Sequence, residues 1–163
     1  MDLSKLKLED LFFTAIRAEL DSKEAYSIMA GLTRNAFLKD KFRFLAGEEE
    51  KHRSFLAQQF EGQFPMVPLK LPEVSPVPMP EIDAKEGTPI SVLLGHAMDA
   101  EKAAHDFYLE FADYAKADDA LASTLRYFAR MELGHYDMLK QEKASAEDFE
   151  AFDDFNPGMH QGP

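Results

Sequence analysis

Glu49 and His52 stand three residues apart in the stretch GEEEKHRSFL, and Glu132 and His135 repeat that spacing in MELGHYDML. Residues three apart on a helix lie on neighbouring points of one face, so each carboxylate and imidazole can reach the same small volume. Such a pair can move a proton or hold a metal ion. Either motif alone is weak in a chain this rich in glutamate. Two of them on corresponding apolar stripes carry more information, because something must place both histidines inside.

The elements that would place them are four long segments with apolar residues at helical spacing. The first runs from about Leu8 to Thr33, with Phe12, Ala15, Ile16, Tyr26, Met29 and Ala30 on one stripe. The second runs from about Ala36 to Glu61 behind an Asn35 N-cap, with Leu38, Phe42, Leu45, Ala46, Leu56 and Phe60 facing inward. The third is expected to begin at TPIS, with Thr88 as N-cap and Pro89 as first helical residue, and to reach about Lys116. The fourth starts near Asp118 and is expected to stop near Ala144. No stretch alternates with period two over a useful length, so the chain reads as all-α.

Short connections make helices one and two, and helices three and four, antiparallel hairpins. Between the hairpins lies GQFPMVPLKLPEVSPVPMPEIDAKEG, residues 62–87, whose six prolines forbid a helix. Met66, Val67, Leu69, Leu71, Val77 and Met79 give it apolar anchors, which suits a strap crossing the side of a bundle better than a flexible linker. The expected organisation is a four-helix bundle over residues 1–144 and a tail over 145–163. In that tail SAEDFEAF adds one helical turn and DDFNPGMHQGP is extended or disordered.

The two hairpins resemble each other. AIRAELDSKEAY aligns on AMDAEKAAHDFY, matching Ala15 with Ala97, Ala18 with Ala100, Glu19 with Glu101 and Tyr26 with Tyr108. FRFLAGEEEKHRSFL aligns on LRYFARMELGHYDML, matching Arg43 with Arg126, Glu49 with Glu132, His52 with His135 and Leu56 with Leu139. An internal duplication explains this and implies pseudo-twofold symmetry. Polar groups interrupt each stripe at one level only, so Glu19, Glu49, His52, Glu101, Glu132 and His135 converge midway along the bundle. Four buried carboxylates left alone would cost many kcal/mol in desolvation and mutual repulsion. Two divalent cations would balance them, so the constellation asks for a two-metal site. Glu48 and Glu50 are expected on a solvated face.

Composition limits what that site can be. The 163 residues suffice for one core-forming domain. The net charge of −12 argues against nucleic-acid or anionic-membrane partners. Cysteine is absent, which rules out thiolate nucleophiles, iron–sulfur clusters and Cys-rich metal modules. No apolar run approaches the length of a membrane span. The start MDLSKLKLEDLFF lacks the pattern of a secretion signal, so a cytoplasmic location is expected.

Glu19, Glu49-x-x-His52, Glu101 and Glu132-x-x-His135 resemble the ligand pattern of ferritin-like carboxylate-bridged di-iron proteins, over roughly residues 8–142. The particular likeness is to rubrerythrins that lack a rubredoxin domain. It implies a ferritin-like antiparallel four-helix bundle, two iron ions with Mn or Zn as substitutes, bridging Glu49 and Glu132, and terminal Glu19 and Glu101. His52 and His135 would complete the two coordination spheres. It also implies that Tyr26 and Tyr108 hydrogen-bond the ligand glutamates, where composition alone would make them core aromatics. A homodimer follows from the same likeness.

Two features depart from it. Rubrerythrins carry a further Glu three residues after the third-helix ligand, where this chain has Ala104. The symmetric six-ligand set is shared with bacterioferritins, yet Glu50 and Leu133 occupy positions where a haem-binding Met is expected. His105, one turn after Glu101, is open to three roles: extra ligand, partner of a ligand, or a hydrogen-bonded neighbour. His96 and His160 are expected at the surface.

The leading reading is a di-iron oxidoreductase acting on hydrogen peroxide or dioxygen, with electrons from a separate donor protein or from Fe(II) itself. The rivals are iron capture or ferroxidation without turnover of an external substrate, and a structural bundle holding zinc.

Overall fold

The computed structural model describes residues 5–73 and 75–155, with side chains through residue 150. Four helices account for the order: α1 (Leu8–Leu32), α2 (Ala36–Gln63), α3 (Ile90–Tyr114) and α4 (Asp119–Phe155). No strand occurs among the described residues. The ends are set by local chemistry. Asp10 accepts from the Lys7 N–H at 3.1 Å, and Asn35 accepts from Phe37 and Leu38 N–H at 3.0 and 3.2 Å. Asp118 accepts from Leu121 N–H at 3.0 Å. Each acceptor satisfies donors that a helix start leaves open.

Two boundaries differ from expectation. Helix α3 starts one residue later than the TPIS motif suggests: Pro89 is the N-cap, not the first helical residue, because its ψ of 141° is extended. Proline has no side-chain acceptor, and the need is met from elsewhere. The Glu150 carboxylate accepts from Ser91 N–H at 3.1 Å and from its hydroxyl. That contact requires α4 to be long. Rather than stopping near Ala144, α4 runs on to Phe155, since no glycine or proline stands between Ala144 and Pro157 and Ala146 packs against the core. Residues 145–155 therefore continue the helix, including the first three residues of the stretch DDFNPGMHQGP expected to be extended or disordered, while the rest of that stretch, with His160, lies outside the described residues.

The hairpins α1–α2 and α3–α4 each pack closely, and α1 meets α3 and α2 meets α4 across the bundle. Tyr26 bonds Glu101 while Tyr108 bonds Glu19, so rising numbers on α1 meet falling numbers on α3. Helices α1 and α3 are thus antiparallel, and α2 and α3 run the same way. The connection between them must therefore travel the whole bundle, about 37 Å for a 25-residue helix. Residues 64–89 do so. Leu69, Leu71, Val77 and Met79 pack on the apolar cluster at one end, built on Phe12, Phe60, Phe107, Phe111 and Leu125. Ile82 and Ala84 reach the cluster at the other end, built on Met29, Phe42, Leu45, Leu94 and Leu139. Gly87, with φ of 84°, makes the turn into α3.

A buried latch pins the strap midway. The Val77 N–H donates to Thr14 Oγ1 at 3.3 Å, and that hydroxyl donates to Asp10 O at 2.8 Å. Thr14→Val would leave the Val77 N–H buried and unpaired, with an expected cost of about 1–3 kcal/mol. A urea unfolding midpoint lowered accordingly checks this; an unchanged midpoint would mean the latch carries no energy.

Candidate metal centre

Between the two apolar clusters lies one polar layer. Glu19, Glu49, His52, Glu101, Glu132 and His135 come from all four helices, and every one is at most 4% exposed. All six expected residues are brought together. They form two overlapping groups whose donor atoms lie within 4.8 Å of one another: Glu19, Glu49, His52 and Glu132, then Glu49, Glu101, Glu132 and His135. Glu49 and Glu132 belong to both.

Each histidine turns Nδ1 into the layer. His52 Nδ1 lies 2.9 Å from Glu132, 3.5 Å from Glu49 and 3.6 Å from Glu19. His135 Nδ1 lies 3.1 Å from Glu132 and 3.5 Å from both Glu49 and Glu101. Exchanging the hairpins exchanges the two lists, as the duplication implies. Donors each about 2 Å from a shared cation stand roughly 3 Å apart, which is the spacing found. Three buried atoms on the layer, Glu49 Oε1, Glu132 Oε1 and His52 Nδ1, have no hydrogen-bond partner among the described residues, and His52 Nε2 on the other side of its ring has none either. Buried orphans of this kind are costly, and two divalent cations would satisfy the three on the layer. The residues fit a pair of metal ions.

The tyrosines cross the bundle. Tyr26 on α1 donates to Glu101 on α3, and Tyr108 on α3 donates to Glu19 on α1. Each holds the carboxylate of the opposite repeat, not the one in its own helix. On the histidine side, the His52 ring lies 4.2 Å from Phe128 between centroids, with Phe55 packed behind it. That side is dry.

Protons manage the charge when no metal is bound. Burial, then repulsion from Glu132 and Glu49, pushes Glu19 well above the carboxylate range despite His52. Burial, Glu49 and Glu132 do the same to Glu101. Burial alone would depress His52, but the carboxylates of Glu132, Glu19 and Glu49 close to its Nδ1 outweigh it and push the imidazole up to about 12. His135 rises likewise, burial being outweighed by Glu101, Glu132 and Glu49. Burial of Glu132 is outweighed by the hydrogen bond from His135 and the nearby His52 imidazole, leaving it well below the usual range. Burial and the neighbouring carboxylates, Glu101 and Glu19 respectively, raise Tyr26 and Tyr108, which therefore stay protonated as donors. The upward shifts of the two imidazoles and of Glu19 and Glu101 all favour bound protons, which offset buried carboxylate charge in the sense that divalent cations would.

Other expected residues fall outside the layer. Glu50 turns away and binds Lys23 at 2.8 Å and Arg53 at 2.6 Å, contacts that hold it down at about 2. Glu48 pairs with Lys51. Both are half-buried in ion pairs rather than freely solvated. His105 is in neither donor group; its Nδ1 sits 2.6 Å from Ala129 O, tying α3 to α4. His96 is half-buried, with Nδ1 unpartnered, rather than at the surface.

A cavity of about 540 Å³ leads from the surface to this layer, between α1 and α3 and beneath the strap. Glu19, Glu49, Glu101 and Glu132 form its floor, while Ala18, Ala25, Ala100 and Ala104 line its walls and Pro78, Met79 and Pro80 roof it. Sequence reasoning missed this opening. The small residues beside Glu19 and Glu101 were its only signal.

The rubrerythrin family model matches residues 10–143. The chain belongs to the rubrerythrin family. The bundle is accordingly ferritin-like, as its four helices and long crossover imply. A solved structure of a hypothetical protein from Pyrococcus furiosus is similar, with a TM-score of 0.80 and 29% identity over 91% of this chain and 95% of that one. No curated protein matches the chain. Among the described residues, no helix is long and apolar enough to cross a membrane.

Proposed function

We propose that this rubrerythrin-family protein holds two iron ions in the polar layer and uses them as an oxidoreductase on hydrogen peroxide or dioxygen. The observation that supports it most is the pair of overlapping donor groups sharing Glu49 and Glu132 at the floor of an open cavity. In this reading Glu49 and Glu132, which belong to both donor groups, would help to hold both ions, with Glu19 and His52 completing the donors for one and Glu101 and His135 those for the other. Carboxylate and imidazole donors without thiolate suit Fe(II) or Mn(II), and Zn(II) fits the same donors. When bound, the iron pair supplies two electrons for peroxide cleavage, or for reaction with dioxygen.

The chain's own residues do the rest. Tyr26 and Tyr108 fix the orientation of Glu101 and Glu19 through their hydroxyl protons. Phe128 and Phe55 keep water from the His52 side, so a small substrate meets the carboxylate face below the cavity. Without cysteine, the reducing equivalents come from a separate donor protein or from Fe(II). A cytoplasmic homodimer belongs to the same reading on the strength of the family resemblance.

Iron capture or ferroxidation without external turnover is the second reading, favoured by Ala104 where rubrerythrins carry an additional glutamate. Protein loaded anaerobically with Fe(II) and mixed with peroxide or dioxygen distinguishes them. Sustained peroxide consumption with an added reductant is the expected result. Rapid oxidation by dioxygen with uptake beyond two irons per chain would favour storage. Neither activity would leave an inert structural site.

A further inference from the structure

The cavity has a floor, walls and a roof of stated chemistry, and also a charged mouth. Asp21 and Glu24 project from α1, and Glu73 and Glu81 from the strap; all four line the opening and are exposed. One base, Arg17, faces them and is paired with Asp21 at 3.0 Å. The mouth is therefore strongly negative on a chain that is already acidic. Behind it lie Glu49 and Glu132, each 1% exposed, each lining the cavity and each with an oxygen lacking any hydrogen-bond partner. The Arg17–Asp21 pair leaves three acids uncompensated at the rim among the described residues.

A field of this sign discriminates by charge. It repels anions, is indifferent to neutral peroxide and dioxygen, and concentrates cations, raising their rate of arrival steeply at low ionic strength. We propose that the strap-roofed cavity is the route by which divalent metal ions reach the buried layer, and that Glu73 and Glu81 on the strap steer them in. This rests on the reading above that the layer binds two metal ions. The strap thereby has a role in loading besides joining the hairpins. Its two acids sit over the cavity because Val77, between them, is latched to Thr14.

The test measures metal arrival, not turnover. Metal-free protein is mixed with Co(II) in a stopped-flow instrument and the cobalt absorbance followed at low salt and near physiological salt. Wild type is expected to load two ions per chain, faster at low salt. The double variant Glu73→Gln with Glu81→Gln should load the same two ions about tenfold more slowly at low salt, the gap closing as the Debye length shrinks from about 30 to 8 Å. Glu73→Asp with Glu81→Asp should load at close to the wild-type rate. A control pair, Glu61→Gln with Asp119→Gln, removes equal charge away from the mouth and should leave the rate near wild type.

Equal loading rates in wild type and the Glu73/Glu81 double variant overturn the steering role. So does equal slowing in the control pair, which would make net charge the cause, or slowing independent of salt. Wild-type protein that binds no Co(II) at equilibrium would overturn the two-metal reading itself. Two ions bound at unchanged rates would overturn the route alone. Peroxide turnover by protein loaded beforehand should be the same in wild type and the double variant, because that substrate carries no charge.

Discussion

Glu49→Ala is expected to lose both metal ions, whereas Glu19→Ala loses about one of them. Glu49 belongs to both donor groups, while Glu19 belongs only to the group with His52 and Glu101 only to the group with His135. Removing a shared carboxylate takes a donor and a negative charge from each position; removing a terminal one damages a single position. Anaerobic equilibrium titration with Fe(II) or Co(II) reads the stoichiometry directly. A Glu49→Ala protein that still binds two ions with unchanged spectra would refute the assignment of Glu49 to both ions. The Glu101→Ala variant should mirror Glu19→Ala, because the two half-sites correspond across the duplication. Equal losses in all three variants would mean the ions are held as one cooperative unit, with no independent halves.

Stripping the metal should lower the thermal midpoint by roughly 10–20 °C, and the drop should grow with pH. Two sites each filled at about a hundred times their Kd contribute roughly 5 kcal/mol, and a domain of this size shifts by about 2–4 °C per kcal/mol. The pH dependence follows from the protons that balance the empty layer. His52 is raised from 6.5 to about 12 in the folded protein, and His135 is raised as well, so folding takes up protons. That stabilisation is fully present below the unfolded value of about 6.5 and fades as pH climbs towards the folded one. Glu19 and Glu101, raised from 4.5, act in the same direction from lower pH. Glu132, which is lowered, acts oppositely, but only below its ordinary range. The metal-free protein should therefore soften between about pH 6 and 9, while metal competes ever better as the protons leave. Calorimetry with and without chelator across that range checks both signs. A gap that stays constant or narrows would show that protons do not neutralise the empty site.

The six candidate ligands were legible because each breaks an apolar stripe at one depth and because the duplication presents them twice. Helical periodicity converts such interruptions directly into positions in space. What joins one element to another was less accessible. That Tyr26 serves Glu101 rather than Glu19 depends on how far apart the hairpins stand and on α1 running against α3, neither of which lies in the local pattern. The length of α4 was underestimated because SAEDFEAF has no apolar stripe of its own. It stays helical partly because Glu150 caps α3, a contact 59 residues away in sequence. The strap was recognisable from its prolines and apolar anchors. Its place over the cavity was not, since an extended segment with no repeat gives no phase from which to infer facing.

The distribution of donors among the helices has a wider consequence. Neither hairpin carries a full donor set for either position: the first group needs Glu132 from the second hairpin, and the second group needs Glu49 from the first. Any ion held there is a clasp between two halves, and a lone hairpin could complete a site only by meeting another copy of itself. The tether of residues 64–89 makes that meeting intramolecular. What a pair of separate chains would achieve only by finding each other, this polypeptide has written into a single length.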